Sequence, residues 1–208
     1  MSGPDPLPRA WFDRIDPSPD ALFYDAPRLV NHIDDATIAE LTDYYREVLP
    51  RGGAILDLMS SWVSHLPADV SFARVAGLGM NAEELAANPR LTETRVHDLN
   101  ARPELPYPAE SFDAALNAVS VQYLVHPVAV FAEVRRVLRP GGISIVAMSH
   151  RCFPTKAVRA FHVLPRDGRL ELVSRYHELA GGFAAPARLD RSPQGADPLW
   201  IVAARRSE

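Results

Sequence analysis

Short apolar runs that alternate with helix-like segments constrain the fold of this chain most strongly. Four predominantly apolar runs have the length and character of strands buried on both faces of a sheet, at residues 54–59, 72–78, 112–119 and 143–148. Residues 127–138 lie between two of these runs and repeat apolar side chains at helical spacing, with Pro-Gly-Gly at 140–142 as the expected stop. Strands that alternate with helices favour a mostly parallel sheet with right-handed crossovers.

Weaker signals complete the pattern. A helix is predicted over 34–48, where Asp34 or Asp35 is suited to cap its first turn, and a short strand over 95–98. The spacing around 170–179 predicts a helix that ends at the glycine pair 181–182. A closing strand at 199–204 indicates a final antiparallel hairpin.

The length and the proline distribution bear on domain organisation. A chain of 208 residues fits one α/β domain, which we place at 34–208. Prolines keep the first twenty residues from forming regular structure, while Trp11 and Phe12 give that segment something to bury. Residues 1–33 are therefore predicted to be an N-terminal arm or lid.

Composition excludes several classes of function. The net charge is −4 and the basic residues are scattered, which argues against a nucleic-acid partner. No apolar run is long enough for a membrane span, and the N-terminus lacks the pattern of a secretory signal, so we expect a cytoplasmic protein without a membrane partner. One cysteine, Cys152, excludes an internal disulfide and a cysteine-built zinc site, and no metal is expected.

Polar residues cluster where the predicted strands end. The run 54–59 passes through Asp57 into a loop where binders of phosphates or cofactors usually carry glycines, and this loop has none before residue 77. Further polar segments follow the other strands, at Gly77-Leu-Gly-Met-Asn81 and Val96-His-Asp-Leu99. Ligands of doubly wound sheets lie over this edge, so these loops are the predicted site.

This ordered series resembles the motifs of class I S-adenosylmethionine-dependent methyltransferases, most closely the small-molecule, methyltransferase type 11-like kind. The most specific part is the stretch 105–142, which ends in Val-Leu-Arg-Pro-Gly-Gly. The resemblance implies a doubly wound, Rossmann-like α/β fold whose seven-stranded, mostly parallel sheet has a C-terminal antiparallel strand. It also implies the cofactor S-adenosyl-L-methionine.

Residues that the resemblance places at the cofactor come from four strand ends. They are Asp57, Leu58, Met59, Ser60, Ser61, Gly77, Gly79, Asn81, Asp98, Leu99, Asn117 and Val119. Gly79 stands where the family usually has an acid that accepts from the ribose hydroxyls. Asn81 either supplies an amide oxygen there or caps the next helix in a capping box with Glu84, and Asp98 either accepts from the adenine amino group or caps a turn.

Candidates for acceptor binding and catalysis precede the first predicted helix or follow the fourth and fifth predicted strands. Tyr24, Arg28, Gln122, Arg151 and Lys156 are the predicted substrate residues. His150, His32 and Tyr123 are the predicted bases, although each histidine, like His65, also has a purely structural interpretation. Two cations beside His150 favour an acceptor with a carboxylate or phosphate; a solvated loop is the alternative.

The sequence therefore predicts a transferase of small-molecule metabolism that moves a methyl group from S-adenosylmethionine to a small acceptor. Such transfer depends mainly on alignment and requires a base only for a protonated nucleophile. The missing glycines leave a second possibility, a methyltransferase-like binding or regulatory module without catalysis. A nicotinamide oxidoreductase is less favoured because no G-x-G-x-x-G follows the first strand. The chain is expected to be a monomer or a homodimer.

Overall fold

Seven strands form one sheet in the computed structural model, which describes residues 7–208. Expectations placed on residues 1–6 lie outside the described part of the chain. The strands are β1 (Ala54–Leu58), β2 (Arg74–Gly79), β3 (Glu93–Val96), β4 (Phe112–Ala118), β5 (Leu138–Met148), β6 (Ala187–Asp190) and β7 (Trp200–Arg205). Their order is β3-β2-β1-β4-β5-β7-β6. The first five are parallel, and β7 pairs antiparallel with both β5 and β6, which confirms the predicted fold class.

Six α-helices of residues 7–208 lie before or between the strands. They are α1 (Asp20–Phe23), α2 (Asp35–Val48), α3 (Ala82–Ala87), α4 (Pro127–Val137), α5 (Arg159–Val163) and α6 (Arg166–Ala180). Asp34 caps α2 as predicted, since its carboxylate accepts from Thr37 N–H. Gly181, at φ 69°, ends α6. In residues 7–208, no helix combines the length and apolarity that crossing a membrane requires.

The core lies on both faces of the sheet. Leu56 and Leu58 of β1 pack with the apolar faces of α4 and α6, whereas Ile55 packs on the opposite face with α2. Every residue of β1 is buried. The strand order reverses between β1 and β4, so a crevice opens above the carboxyl ends of these two strands.

Several element boundaries differ from prediction, and two of the differences have a clear local cause. Helix α4 ends at Val137 rather than at the Pro-Gly-Gly turn, because Leu138 already pairs with Phe112 in the sheet. Gly141, at φ 75°, then allows the turn that leads into the buried part of β5. Strand β3 ends at Val96 rather than at Asp98, because Asp98 begins a turn in which its carbonyl accepts from Arg102 N–H.

The connection from β1 to β2, residues 59–73, contains no helix. Side-chain hydrogen bonds order it instead: Asn88 donates to Ser61 O (2.9 Å) and to Ser64 Oγ (2.8 Å), and Thr42 Oγ1 donates to His65 O. A long ordered loop of this kind at a strand end is more often a binding element than a simple connection.

The N-terminal segment 7–33 lies across the carboxyl edge of the sheet. Leu7 is buried, and Trp11 and Phe12 pack against the core cluster around α6. A backbone hydrogen bond from Asp16 N–H to Thr155 O joins this arm to the loop after β5. The aromatic residues of segment 7–33 thus pack on the core, and the segment forms no strand of the sheet.

Lys156, the only lysine of the sequence, anchors the arm. Its side chain is fully buried, and Nζ donates to Ser18 O at 2.8 Å. The same ammonium lies 3.0 Å from Asp16 Oδ2 and 3.4 Å from Asp20 Oδ1. Asp20 also forms an ion pair with Arg14 (Nη1 to Oδ1, 2.6 Å) and accepts a hydrogen bond from Asn100 Nδ2 (2.7 Å). The network therefore connects the arm to the loop after β3.

We expect Lys156→Met to destabilise the protein by about 3 kcal/mol, because it leaves the buried Asp20 carboxylate short of one cation. Urea denaturation would measure the loss. Arg166→Met, which removes exposed ion pairs to Asp167 and Asp190, is the control and should cost about 0–1 kcal/mol. Equal losses in the two variants would contradict an anchoring role for Lys156.

Candidate functional site

A cavity of about 110 Å³ opens at the carboxyl ends of β1, β2 and β4, beneath the arm. Its wall brings together most of the residues predicted for the site. These are Tyr24, Arg28, His32, Asp57, Leu58, Met59, Ser60, Ser61, Gly79, Asn81, Asp98, Leu99, Val119 and Tyr123. The cavity therefore lies where the strand order reverses, as the rule for doubly wound sheets requires.

The carboxylate of Asp57 organises the loop after β1. Its Oδ2 accepts from Ser60 Oγ and from Ser64 Oγ, each at 2.6 Å. Burial raises the pKa of Asp57 to about 6, against the lowering effect of the two hydroxyls. No Lys, Arg or His in residues 7–208 forms an ion pair with Asp57. The serines thus hold the loop around a buried acid.

Three non-glycine residues of the cavity wall have a left-handed backbone. They are Met59 (φ 55°), His65 (φ 53°) and Val119 (φ 46°). Met59 stands where the glycine-rich loop of the predicted family begins, so this loop adopts a glycine-like conformation without a glycine. For a β-branched residue such as Val119 the conformation is strained. Strain of this kind concentrates at functional sites.

Gly79 lacks a side chain because the loop after β1 occupies the space beside it. A Cβ on Gly79 would lie 2.2 Å from the backbone oxygen of Ser60. Ser60 N–H also donates to Leu78 O at 2.8 Å, which holds the two segments together. The absence of an acid at the end of β2 is therefore a steric requirement of this loop.

Asn81 is fully engaged by the protein. Its Oδ1 accepts from the N–H groups of Glu83 and Glu84, which caps α3. Its Nδ2 donates to the carbonyls of Tyr24 (3.1 Å) and Asp25 (3.0 Å) on the arm. The cap interpretation is thus confirmed for Asn81, but the capping box is wrong, because the Glu84 side chain points to Arg28 N–H and Ser61 Oγ instead.

Asp98 both caps a turn and faces the cavity. Its Oδ1 accepts from Asn100 N–H (2.8 Å) and Ala101 N–H (3.2 Å), whereas Oδ2 accepts no hydrogen bond from residues 7–208. The adjacent Leu99 is buried in the cavity wall. The two interpretations of Asp98 are compatible, since one oxygen forms the turn and the other is free for a ligand.

Aromatic rings form the roof of the cavity, with Phe153 at their centre. Phe153 stacks on Tyr123 (centroids 5.8 Å apart) and meets His32 (5.3 Å) and Tyr24 (6.5 Å) edge to face. Tyr123 OH accepts from Phe153 N–H, and burial raises the pKa of Tyr123 to about 12. Tyr123 is thus unsuited to accept a proton near neutral pH, which corrects its assignment as a base.

Two histidines face the cavity as neutral groups. Burial lowers the pKa of His32, and burial with the nearby His32 lowers that of His65 to about 4. Nδ1 of His65 is buried without a hydrogen-bond partner in the described chain. An unpaired neutral imidazole is able to form a hydrogen bond with a ligand, whereas a pKa of about 4 disfavours its protonation.

Two predicted residues after β5 lie outside the cavity. His150 and Arg151 have side chains about half exposed (56%) and lie against the buried Asp197, at 3.4 Å and 2.6 Å. Asp197 also exchanges hydrogen bonds with the backbone and side chain of Asp34, so both residues brace the start of α2 against the β6–β7 hairpin. Their assignments as base and as substrate contact are corrected accordingly.

Four further residues predicted for the site have structural roles instead. Lys156 is buried in the arm anchor, and the Gln122 amide donates to the carbonyls of Val119 and Arg151. Gly77 lies under Leu91, whose Cδ1 would be 2.3 Å from an added Cβ, so this glycine permits packing rather than binding. Asn117 lies behind the wall, where its amide donates to Met59 Sδ and its oxygen accepts from Ser120 Oγ.

Other wall residues were not among the predicted site residues. They include Asp20, Trp62, His65, Glu84, Asn100 and Phe153. They lie on the arm, in the helix-free loop, in α3 and in the loops after β3 and β5, where no familiar motif marks a ligand contact. Only proximity to the strand ends could have indicated Trp62 and His65.

Comparisons with known proteins bear on the family and on the fold. Residues 59–146 match the family model described as a methyltransferase domain. No curated protein sequence matches the chain. Solved structures with this fold include an S-adenosylmethionine-dependent methyltransferase from Mesorhizobium loti, which is 19% identical and has a TM-score of 0.55 over 81% of this chain and 98% of that one.

Two further structures share the fold. One is the 1,6-didemethyltoxoflavin-N1-methyltransferase of Burkholderia thailandensis, 17% identical, with a TM-score of 0.58 over 84% of this chain and 80% of that one. The other is the [4+2]-cyclase SpnF, 20% identical, with a TM-score of 0.60 over 80% of each chain. At these identities the likeness concerns the fold alone.

The match of residues 59–146 to the methyltransferase-domain model, together with the fold, supports a class I S-adenosylmethionine-dependent methyltransferase. The predicted resemblance is thereby confirmed. Residues 59–146 correspond to a methyltransferase domain, a family of enzymes whose cofactor is S-adenosylmethionine.

Replacement of Gly79 by alanine should destabilise the protein by about 1–3 kcal/mol or more, because the new Cβ meets the Ser60 backbone and the loop must shift. Thermal or urea unfolding would measure it. Gly168→Ala in α6, whose Cβ would meet flexible side-chain atoms at 3.2 Å, is the control and should be near neutral. A neutral Gly79→Ala variant would contradict the steric explanation for the missing acid.

Asp57 should make stability depend on pH. Because its pKa is about 6 in the folded chain and its ordinary value is 3.8, the folded protein binds more protons between these values than the unfolded chain. Relative to Asp57→Asn, the free energy of unfolding of the wild type should therefore fall by about 2–3 kcal/mol as pH rises from about 4 to about 7. Chemical denaturation at several pH values tests this, and parallel pH profiles for the two proteins would refute it.

Proposed function

We propose that this protein transfers the methyl group of S-adenosylmethionine to a small-molecule acceptor bound beneath the N-terminal arm. The observation that carries the proposal is the juxtaposition, in one cavity at the switch point, of Asp57, Asp98 and the left-handed loop at Met59. These three features come from the ends of β1 and β3, in keeping with the family match.

The chemistry of the wall suits this cofactor. Free acceptors face the cavity at Asp98 Oδ2, and Asp57 Oδ1 accepts no hydrogen bond within the described chain. S-adenosylmethionine brings matching donors, namely an adenine amino group, ribose hydroxyls and an ammonium. Asp57, Glu84 and Asp98 also create a negative potential that favours the positive sulfonium.

When bound, the cofactor supplies an electrophilic methyl group. The residues of this chain would then hold the two reactants in line and exclude water, which accounts for much of the rate in such transfers. The roof of Tyr24, Tyr123 and Phe153 provides an apolar cover for that purpose. His32 is the candidate to take a proton from a protonated nucleophile, whereas His65, whose pKa burial lowers to about 4, is suited to a hydrogen bond with a ligand.

The wall favours a neutral or cationic acceptor with a planar or apolar body. Asp20, Asp57, Glu84 and Asp98 line the cavity, whereas Arg28 is the one Lys or Arg found on the wall of the described chain. Its guanidinium packs over the Phe23 ring at 4.3 Å. This replaces the expectation of an anionic acceptor, because Arg151 and Lys156 are engaged elsewhere.

A second function is a reaction without methyl transfer. It is favoured by one observation, that the solved [4+2]-cyclase SpnF shares this fold. A methyltransferase-like binding or regulatory module without catalysis is a further alternative. The glycine-like conformation of Met59 supports retention of the cofactor loop and so favours the methyltransferase.

S-adenosylhomocysteine should stabilise the protein by about 2.7 kcal/mol at a hundredfold excess over its dissociation constant. Thermal unfolding with and without the ligand measures the shift, and calorimetry gives the dissociation constant. NADH, which the family does not use, is the matched control and should leave the melting temperature unchanged.

An acceptor screen completes the test. Candidate planar amines, phenols and heterocycles are incubated with S-adenosylmethionine, and mass spectrometry detects the methylated product. Binding of the cofactor without product from any acceptor would favour the alternative function. Absence of any thermal or calorimetric response to the cofactor would refute the proposal.

A further inference from the structure

The carboxylate of Glu84 lies in the cavity wall without a cation beside it. The residue is 8% exposed, and no Lys, Arg or His side chain in residues 7–208 forms an ion pair with it. Its two oxygens accept one hydrogen bond each, from Arg28 N–H (2.7 Å) and from Ser61 Oγ (2.6 Å). Burial of a charged carboxylate costs free energy unless hydrogen-bond donors surround it. Each Glu84 oxygen is able to accept one more hydrogen bond, which a ligand could donate.

Neighbouring residues are unable to provide this acceptor. Gly79, at the end of β2, has no room for a side chain because of the Ser60 oxygen. Asn81 directs its oxygen at two helix N–H groups and its nitrogen at two arm carbonyls. Glu84 is therefore the residue after β2 that offers acceptor oxygens to the cavity.

The position of Glu84 lies between the two ends of the proposed cofactor site. Helix α3 follows β2 directly, and β2 lies between β1 and β3 in the sheet. The Ser61 hydroxyl connects Glu84 to the loop after β1, while Asp98 begins the turn after β3. A ligand that spans Asp57 and Asp98 would cross the end of β2, where Glu84 lines the same cavity.

We propose that Glu84 recognises the vicinal ribose hydroxyls of the cofactor, with its two oxygens accepting one hydroxyl each. This inference rests on the proposed function. Each oxygen of a carboxylate has two acceptor sites and uses one for the protein, so two sites remain side by side for a diol. Glu84, in the first turn of α3, would thus accept the ribose hydrogen bonds that an acid at the end of β2 usually accepts in this family.

The same carboxylate also holds the arm. Because Oε1 accepts from Arg28 N–H, Glu84 joins the ribose contact to the segment that covers the cavity. In a Glu84→Gln variant, loss of the charge should weaken ligand binding more than it weakens the fold, since the amide oxygen of the glutamine would still accept from Arg28 N–H.

The test is titration calorimetry of the full-length protein and its Glu84→Gln variant with S-adenosylhomocysteine and with the analogue that lacks both ribose hydroxyls. Glu84→Gln should weaken S-adenosylhomocysteine binding about tenfold to a hundredfold, and should leave the affinity for the analogue unchanged. Glu83→Gln, an exposed neighbour in the same turn of α3, is the matched control and should bind both ligands like the wild type.

Three outcomes overturn the inference. Equal affinity of wild type and Glu84→Gln for S-adenosylhomocysteine would remove the contact. An equal loss for both ligands would assign Glu84 a structural role, and melting curves of the variant would show whether the fold is affected. A wild-type protein that binds neither S-adenosylhomocysteine nor S-adenosylmethionine would refute the proposed function together with this inference.

Discussion

The buried ammonium of Lys156 is the interaction on which the site depends. It joins the loop after β5 to the arm through Asp16, Ser18 and Asp20, and Asp20 continues the network to Asn100 after β3. An arm with many prolines has few backbone hydrogen bonds of its own, so side-chain contacts must hold it. Without the arm, the carboxyl edge of the sheet would be an open crevice rather than a covered cavity.

The loop after β1 shows how a binding loop forms without glycines. Two serines bind the buried Asp57, Asn88 holds the loop from the other side, and Met59 takes the left-handed backbone that glycine usually provides. The steric consequence reaches β2, where the Ser60 oxygen excludes any side chain at residue 79. The loop without glycines after β1 thus explains why residue 79 is a glycine rather than the acid usual in the family.

The charges of the cavity decide what the site is suited to bind. Asp57, Glu84 and Asp98 on the wall have no cation paired with them in the described chain, so with the neutral imidazoles they favour a cationic cofactor and disfavour an acidic acceptor. The cations that the sequence places after β5 serve the architecture instead, Arg151 by pairing with Asp197 and Lys156 by anchoring the arm. Specificity for the acceptor therefore falls to the aromatic roof around Phe153 and to the two histidines.

The sequence by itself determined the sheet, the order of its elements and the cofactor class. Buried strands, the Asp34 cap and the ordered motifs are local patterns, and local patterns can be recognised in the sequence itself. It also predicted that Asp57, Asp98 and the loop after β1 lie at one edge of the sheet, because the ends of parallel strands meet there. Only the tertiary structure decided which polar residues face the cavity: Glu84 meets an arm N–H that lies 56 residues earlier, and Asn81 binds carbonyls equally remote. Such partners are brought together by packing, and no spacing in the sequence encodes which hydrogen bonds are already satisfied.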